Sequence, residues 1–162
     1  MAHTDDRLRP EVRAAADRVA AAPAGRAPEP GERLLWQEAR AAARRAYAPY
    51  SGFKVGAALI GASGRTHLGV NVENQSYPAG MCAERVALGA AVTAGERPSA
   101  VAVATTDGRD AVPCGLCLQA FSEFGDVTIV CRHGGEVRVF ALRELLTTPF
   151  AVSPDAAEGR AR

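Results

Sequence analysis

Between residues 32 and 150 the apolar positions switch repeatedly between two spacings. Glu32–Ala48 carries Leu34, Leu35, Ala42 and Ala43 at helical intervals, and Pro49 stops it. Phe53–Ile60 and Thr66–Val72 alternate as strands around a Gly61-Ala62-Ser63-Gly64 turn, which makes a hairpin. Cys82–Ala94 returns to helical spacing, and Ala100–Thr105 is a β-branched, apolar strand. Gly115–Phe124 reads as a short helix. Val127–Cys131 and Val137–Phe140 read as strands around His133-Gly134-Gly135, and Leu142–Leu146 as a last helical turn. The order αββαβαββα predicts an α/β fold, with a single mixed β-sheet of about five strands sandwiched by helices. No internal repeat is present.

The flanks break this pattern. Residues 1–31 are rich in Ala, Pro, Arg and Glu. A helix over 9–22 would be ended by Pro23, Pro28 and Pro30, so the segment reads as a loosely attached extension. Residues 151–162 read as a frayed tail, leaving 32–150 as the folded domain. A length of 162 residues fits one domain with a core that needs no disulfides. No apolar run is long enough to span a membrane. The N-terminus lacks a signal-peptide core, and Asp5, Asp6, Glu11 and Asp17 argue against a transit peptide. Net charge is +1, and the arginines alternate with acids. Arg40, Arg44 and Arg45 read as a solvated helix face. The charge pattern points away from nucleic acid and toward a small-molecule substrate.

Four cysteines bring the chemistry. Cys114 and Cys117 form a CxxC pair after Pro113, and Cys82 stands two residues before Glu84. Without a signal segment, this spacing favours reduced thiols in the cytoplasm. Three thiolates leave a tetrahedral Zn²⁺ one open position, as catalytic sites do. Glu84 beside that position can move protons on and off a water. Cys82 and Cys114 each begin a predicted helix, whose N-terminal dipole is expected to lower thiol pKa. Arg85 is the candidate donor that offsets the anionic centre from behind the sulfurs. A structural zinc site would require a fourth ligand, and the remaining Cys131 ends a predicted core strand. A redox CxxC leaves Cys82 and Glu84 without a role. His3, His67 and His133 lie outside the motif.

With these residues in place the chain resembles the cytidine deaminase family, of the small, three-cysteine, homotetrameric type. The resemblance covers about residues 34–150. It includes Tyr47-Ala48-Pro49-Tyr50-Ser51-Gly52-Phe53-Lys54-Val55-Gly56-Ala57-Ala58, Asn71-Val72-Glu73-Asn74 with Ser76-Tyr77, and Cys82-Ala83-Glu84-Arg85. Pro113-Cys114-Gly115-Leu116-Cys117 with Gln119 and Glu123-Phe124, and Glu144-Leu145-Leu146 with Phe150, complete it. It implies zinc on Cys82, Cys114 and Cys117, with Glu84 as proton shuttle. It further implies ribose contacts from Asn71 and Glu73, a pyrimidine contact from the Ala83 amide, and base packing by Phe53. Phe150 would reach a neighbouring subunit's site. Two departures stand out. Leu118 replaces the family's usual Arg, and Thr147-Thr148-Pro149 replaces a proline directly after the leucines.

The expected reaction is hydrolytic deamination of cytidine, and of deoxycytidine, to the uridine and ammonia in pyrimidine salvage. A deaminase of a related aminopyrimidine nucleoside, such as a nucleoside antibiotic, would use the same site. A polynucleotide deaminase fits the charge poorly. A non-catalytic zinc-stabilised interaction domain would have no use for Glu84. Leu88, Ala90, Ala91 and Leu118 are expected to line a subunit contact, with the sheet face as the alternative.

Overall fold

The computed structural model describes residues 23–151. The expectations for 1–22 and for the tail beyond 151 lie outside the described residues. The order is α1 (Pro30–Ala43), β1 (Val55–Gly61), β2 (Thr66–Val70), a 3₁₀ turn (Tyr77–Ala79), α2 (Ala83–Thr93) and β3 (Pro98–Thr105). Then come α3 (Gly115–Ser122), β4 (Thr128–His133), β5 (Glu136–Ala141) and α4 (Leu142–Leu145). The αββαβαββα order of the sequence is the order observed.

The strands form one five-stranded sheet in the order β2-β1-β3-β4-β5. β1 runs antiparallel to both β2 and β3, β3 parallel to β4, and β4 antiparallel to β5. Alternation of side chains divides the core in two. Ala58, Ala102, Ala104, Val130 and Val139 face Leu35, Trp36 and Ala39 of α1. Ala57, Leu59, Val101, Val103 and Ile129 face Ala83, Ala87 and Ala91 of α2, together with Leu118 and Phe121 of α3.

Glycine sets how closely the helices lie. A Cβ at Gly56 would come 2.1 Å from Ala39 O and 2.5 Å from Ala43 N of α1. On the opposite face, one at Gly69 would come 2.1 Å from Ala83 O and 2.4 Å from Ala87 N of α2. Each strand thus meets a helix backbone directly.

Four local expectations are corrected. α1 begins at Pro30 rather than Glu32, because a proline fits the first helical position, where its missing N–H costs nothing. The Glu29 N–H donates to Glu32 Oε2 at 2.8 Å and closes that end. α1 also stops at Ala43, because Tyr47 leaves to bridge Val72, with Glu73 N donating to Tyr47 O at 2.8 Å. The stretch before α1 is docked rather than loose, since Arg26 and Val139 exchange backbone hydrogen bonds at 2.9 Å. Finally, Ala91 and Leu118 are buried in the chain's own core, so the sheet-facing alternative holds for both. Leu88 is half-buried against that core, and Ala90 is exposed. Among the described residues, no helix is long and apolar enough to cross a membrane.

Candidate metal centre and active site

Two helix N-termini converge where β3 ends and β1 begins. Cys82 is the N-cap of α2, and Cys114 is the N-cap of α3. Their carbonyls accept the first helical bonds, from Val86 N and Leu118 N. Cys117 follows one turn into α3 and is buried. The three sulfurs lie within 4.8 Å of one another, with Cys114 Sγ and Cys117 Sγ at 3.6 Å. Sulfur ligands of a tetrahedral zinc, each about 2.3 Å from the ion, stand about 3.8 Å apart, so the donor set fits. Cys131 is fully buried in β4 outside this cluster, and burial pushes its thiol up to about 12.

Glu84 stands beside the sulfurs on the first turn of α2, only 5% exposed. Burial raises its carboxyl above the ordinary value, while its own backbone N–H, Cys117 and Arg85 pull it part of the way back. The thiols do not follow the helix-dipole expectation uniformly. Burial, and then the charge of Glu84, push Cys82 and Cys117 up. Burial opposes ionisation of Cys114 as well, but the Cys117 amide and the neighbouring thiols hold it low. Desolvation and mutual repulsion outweigh the dipole at two of the three positions. Such a cluster ionises fully only with a cation among its sulfurs.

Arg85 does not reach the sulfurs. Its guanidinium donates to Gly80 O at 3.2 Å, and its buried Nε has no partner. It supports the chain entering Cys82 instead. The other expected residues gather in one cleft of about 700 Å³, lined by Phe53, Asn71, Glu73, Ala83 and Glu84 together with Cys82 and Cys114. Asn71 grips the start of β1, accepting from Val55 N at 2.8 Å and donating to Phe53 O at 2.9 Å. Glu73 accepts from Tyr50 N at 2.9 Å, from Ser51 N at 3.2 Å and from the Ser51 hydroxyl. The hydroxyl foremost, and the Tyr50 amide, keep the Glu73 carboxyl below its ordinary value. Phe150 does not line this chain's cleft. It is 78% exposed, and its backbone is bonded to both ends of the Gln119 amide, at 2.8 and 2.9 Å.

Ser51, Asp110 and Val112 also line the cleft, and sequence reasoning gave them no role. Ser51 lay inside a quoted motif. Asp110 and Val112 carried no periodic or motif signal of their own.

An α/β/α sandwich that brings three thiols and one buried carboxylate to paired helix N-termini is, in class, a zinc-dependent hydrolase. A family model described as the cytidine and deoxycytidylate deaminase zinc-binding region matches residues 31–133. A probable cytidine deaminase of Dictyostelium discoideum is 46% identical over 88 residues, 53% of this chain and 60% of that protein. The cytidine deaminase of Sporosarcina psychrophila is 44% identical over 125 residues, 74% of this chain and 90% of its own. The crystal structure of cytidine deaminase from Burkholderia pseudomallei superposes with a TM-score of 0.67 at 43% identity, covering 73% of this chain and 98% of that one. The chain belongs to the cytidine and deoxycytidylate deaminase family.

Proposed function

We propose that this protein hydrolytically deaminates cytidine, and deoxycytidine, to the corresponding uridine and ammonia, in pyrimidine salvage. The observation that carries this is the buried Glu84 beside three sulfurs within 4.8 Å of one another. Zinc held by Cys82, Cys114 and Cys117 supplies the Lewis acidity that brings a water's pKa toward neutrality. Glu84 accepts the proton of the attacking water. It then protonates N3 of the pyrimidine, takes the second proton from the hydroxyl added at C4, and delivers that proton to the amine that leaves C4. One carboxylate serves throughout because each transfer restores the state the next one needs. Its upward-shifted carboxyl suits this shuttling. The Ala83 amide, in the first turn of α2, has no helical acceptor and is free to face the pyrimidine. Phe53 packs on the base.

Glu73, held ionised by its hydrogen-bond donors, accepts from a sugar hydroxyl. Asn71 spends one amide hydrogen and one lone pair on β1 and offers the remainder to the ribose. Among the described residues, the charged side chains lining the cleft are Glu73, Glu84 and Asp110, with no Lys, Arg or His. A phosphate would meet repulsion there, so the substrate is a nucleoside rather than a nucleotide or a polynucleotide.

The assembly is a homotetramer in which Phe150 enters a neighbour's cleft. Exposed Tyr50, Tyr77, Met81, Val112 and Leu116 near the site give it an apolar surface to bury. The four free thiols suit the reducing cytoplasm. The domain is read as 32–150 plus the docked stretch before it.

An ammonia-release assay over cytidine, deoxycytidine, cytosine, CMP and adenosine tests the reading. Turnover of the first two alone is expected. Preference for CMP would overturn the electrostatic argument, and no turnover at full zinc load would overturn the deaminase itself.

A further inference from the structure

Phe53 is held more firmly than a pocket phenylalanine needs to be for packing alone. Its backbone N–H donates to Ser51 Oγ at 2.9 Å, and its carbonyl accepts from Asn71 Nδ2 at 2.9 Å. The ring is only half-buried. The Arg109 guanidinium lies over it, 4.7 Å from the ring centroid. Arg109 is not itself a lining residue of the cleft, whereas Phe53 is.

Arg109 is in turn set by a tight turn at the end of β3. Gly108 has φ +72°, which brings the chain back on itself. Asp107 accepts from Arg109 N at 3.2 Å and from Arg109 Nε at 2.6 Å. The Thr105 hydroxyl donates to Arg109 O at 3.2 Å. The side chain is 61% exposed, so solvent alone would leave it free to wander. Asp107 fixes it above the ring.

We infer that Arg109, aligned by Asp107, is a positioning residue that holds the Phe53 ring ready for the pyrimidine. The inference rests on the deaminase reading and adds a specificity element to it. Without the guanidinium, the half-buried ring samples other orientations. Substrate binding must then order it, at a cost that the ground and transition states bear equally. Uniform loss of binding raises KM and leaves kcat alone.

Steady-state kinetics on cytidine with the zinc-loaded protein tests this. Arg109→Ala raises KM about two- to fivefold, the size of an exposed cation–π contact, with kcat unchanged. Arg109→Lys recovers part of the loss and Arg109→Gln none. Asp107→Ala gives a similar rise, and the double variant no more than either alone. In a Phe53→Leu background, Arg109→Ala has no further effect. An unmoved KM in Arg109→Ala, with normal wild-type turnover, overturns this inference alone. So does a fall in kcat, a persistent rise in the Phe53→Leu background, or an altered oligomeric state by light scattering. Wild-type protein that leaves cytidine untouched at full zinc load overturns the deaminase reading and this inference with it.

Discussion

Replacing Gly69 by alanine should damage the metal centre without touching any residue in it. The new methyl would stand 2.1 Å from Ala83 O and 2.4 Å from Ala87 N. An ordinary C···O contact is about 3.3 Å, so α2 must retreat by about 1 Å. Both opposing atoms are helix backbone and cannot swing aside. Overpacking of this kind costs about 1–3 kcal/mol. Ala in place of Gly in a strand returns only about 0.5–1 kcal/mol, so the clash decides the sign. The displaced turn carries Cys82 and Glu84, and metal-ligand distances tolerate only about 0.2 Å. A misplacement of about 1 Å at a reacting centre costs on the order of 100-fold. Gly56→Ala is the matched control. Its methyl would stand 2.1 Å from Ala39 O in α1, on the other face of the sheet, where no ligand resides. Urea denaturation should show a similar stability loss in both variants. Chelator competition and kcat/KM, measured where both stay folded, should collapse in Gly69→Ala alone. Wild-type zinc affinity and turnover in folded Gly69→Ala would refute the argument, as would an equal loss in Gly56→Ala.

Four further outcomes are expected. Glu84→Gln keeps one zinc per chain by metal analysis but loses on the order of 10²–10⁴-fold in kcat, because an amide cannot take the water's proton. Removing zinc with a chelator abolishes turnover yet preserves the far-ultraviolet circular dichroism, since both faces of the sheet have cores of their own; Cys131→Ala retains zinc, and Cys117→Ala does not. Arg85→Ala weakens zinc retention about tenfold by loosening the Gly80 carbonyl ahead of Cys82, while exposed Arg44→Ala matches wild type in the same competition assay. The buried Glu96 carboxyl is held at about 2, first by the Ser63 hydroxyl and then by Arg65. Its folded pKa lies below its unfolded one, so its contribution is complete above the ordinary 4.5 and fades as pH falls toward about 2. The gap in urea midpoint between wild type and Glu96→Gln should therefore begin to close below about pH 5 and be gone near pH 2.

The element order and the three-thiol cluster were legible because both are written locally. Spacing of apolar residues marks each helix and strand, and Cys82-Ala83-Glu84 and the Pro113–Cys117 segment each lie within five residues. Where local signals had two meanings, the reading went astray. Pro30 can break a helix or begin one, and only the Glu29–Glu32 closure decides. Ala91 and Leu118 have helical spacing that fits a subunit contact or a sheet face equally well. The thiol pKa values turned on burial, which a helix N-terminus does not report. The contact of Arg109 with Phe53 joins residues on different strands' ends through a turn, and no periodicity encodes it.

The same close approach that makes Gly69 critical explains an oddity of α2. Its buried apolar face consists of Ala83, Ala87 and Ala91, each fully buried and each with little area to contribute. At about 25 cal/mol per Å², leucines there would stabilise the fold more. They would also lift the helix from β1 and β2 and carry Cys82 and Glu84 away from Cys114 and Cys117. The large side chains lie elsewhere on that face, in Phe121, Phe140, Ile129 and Leu59. Burial energy is thus concentrated around α3 and the neighbouring strands, and the seam beneath α2 is left to small residues. That division lets α2 rest directly on strand backbone. It fixes the height of the first turn of α2, and with it the position of the Glu84 carboxylate relative to the three thiols.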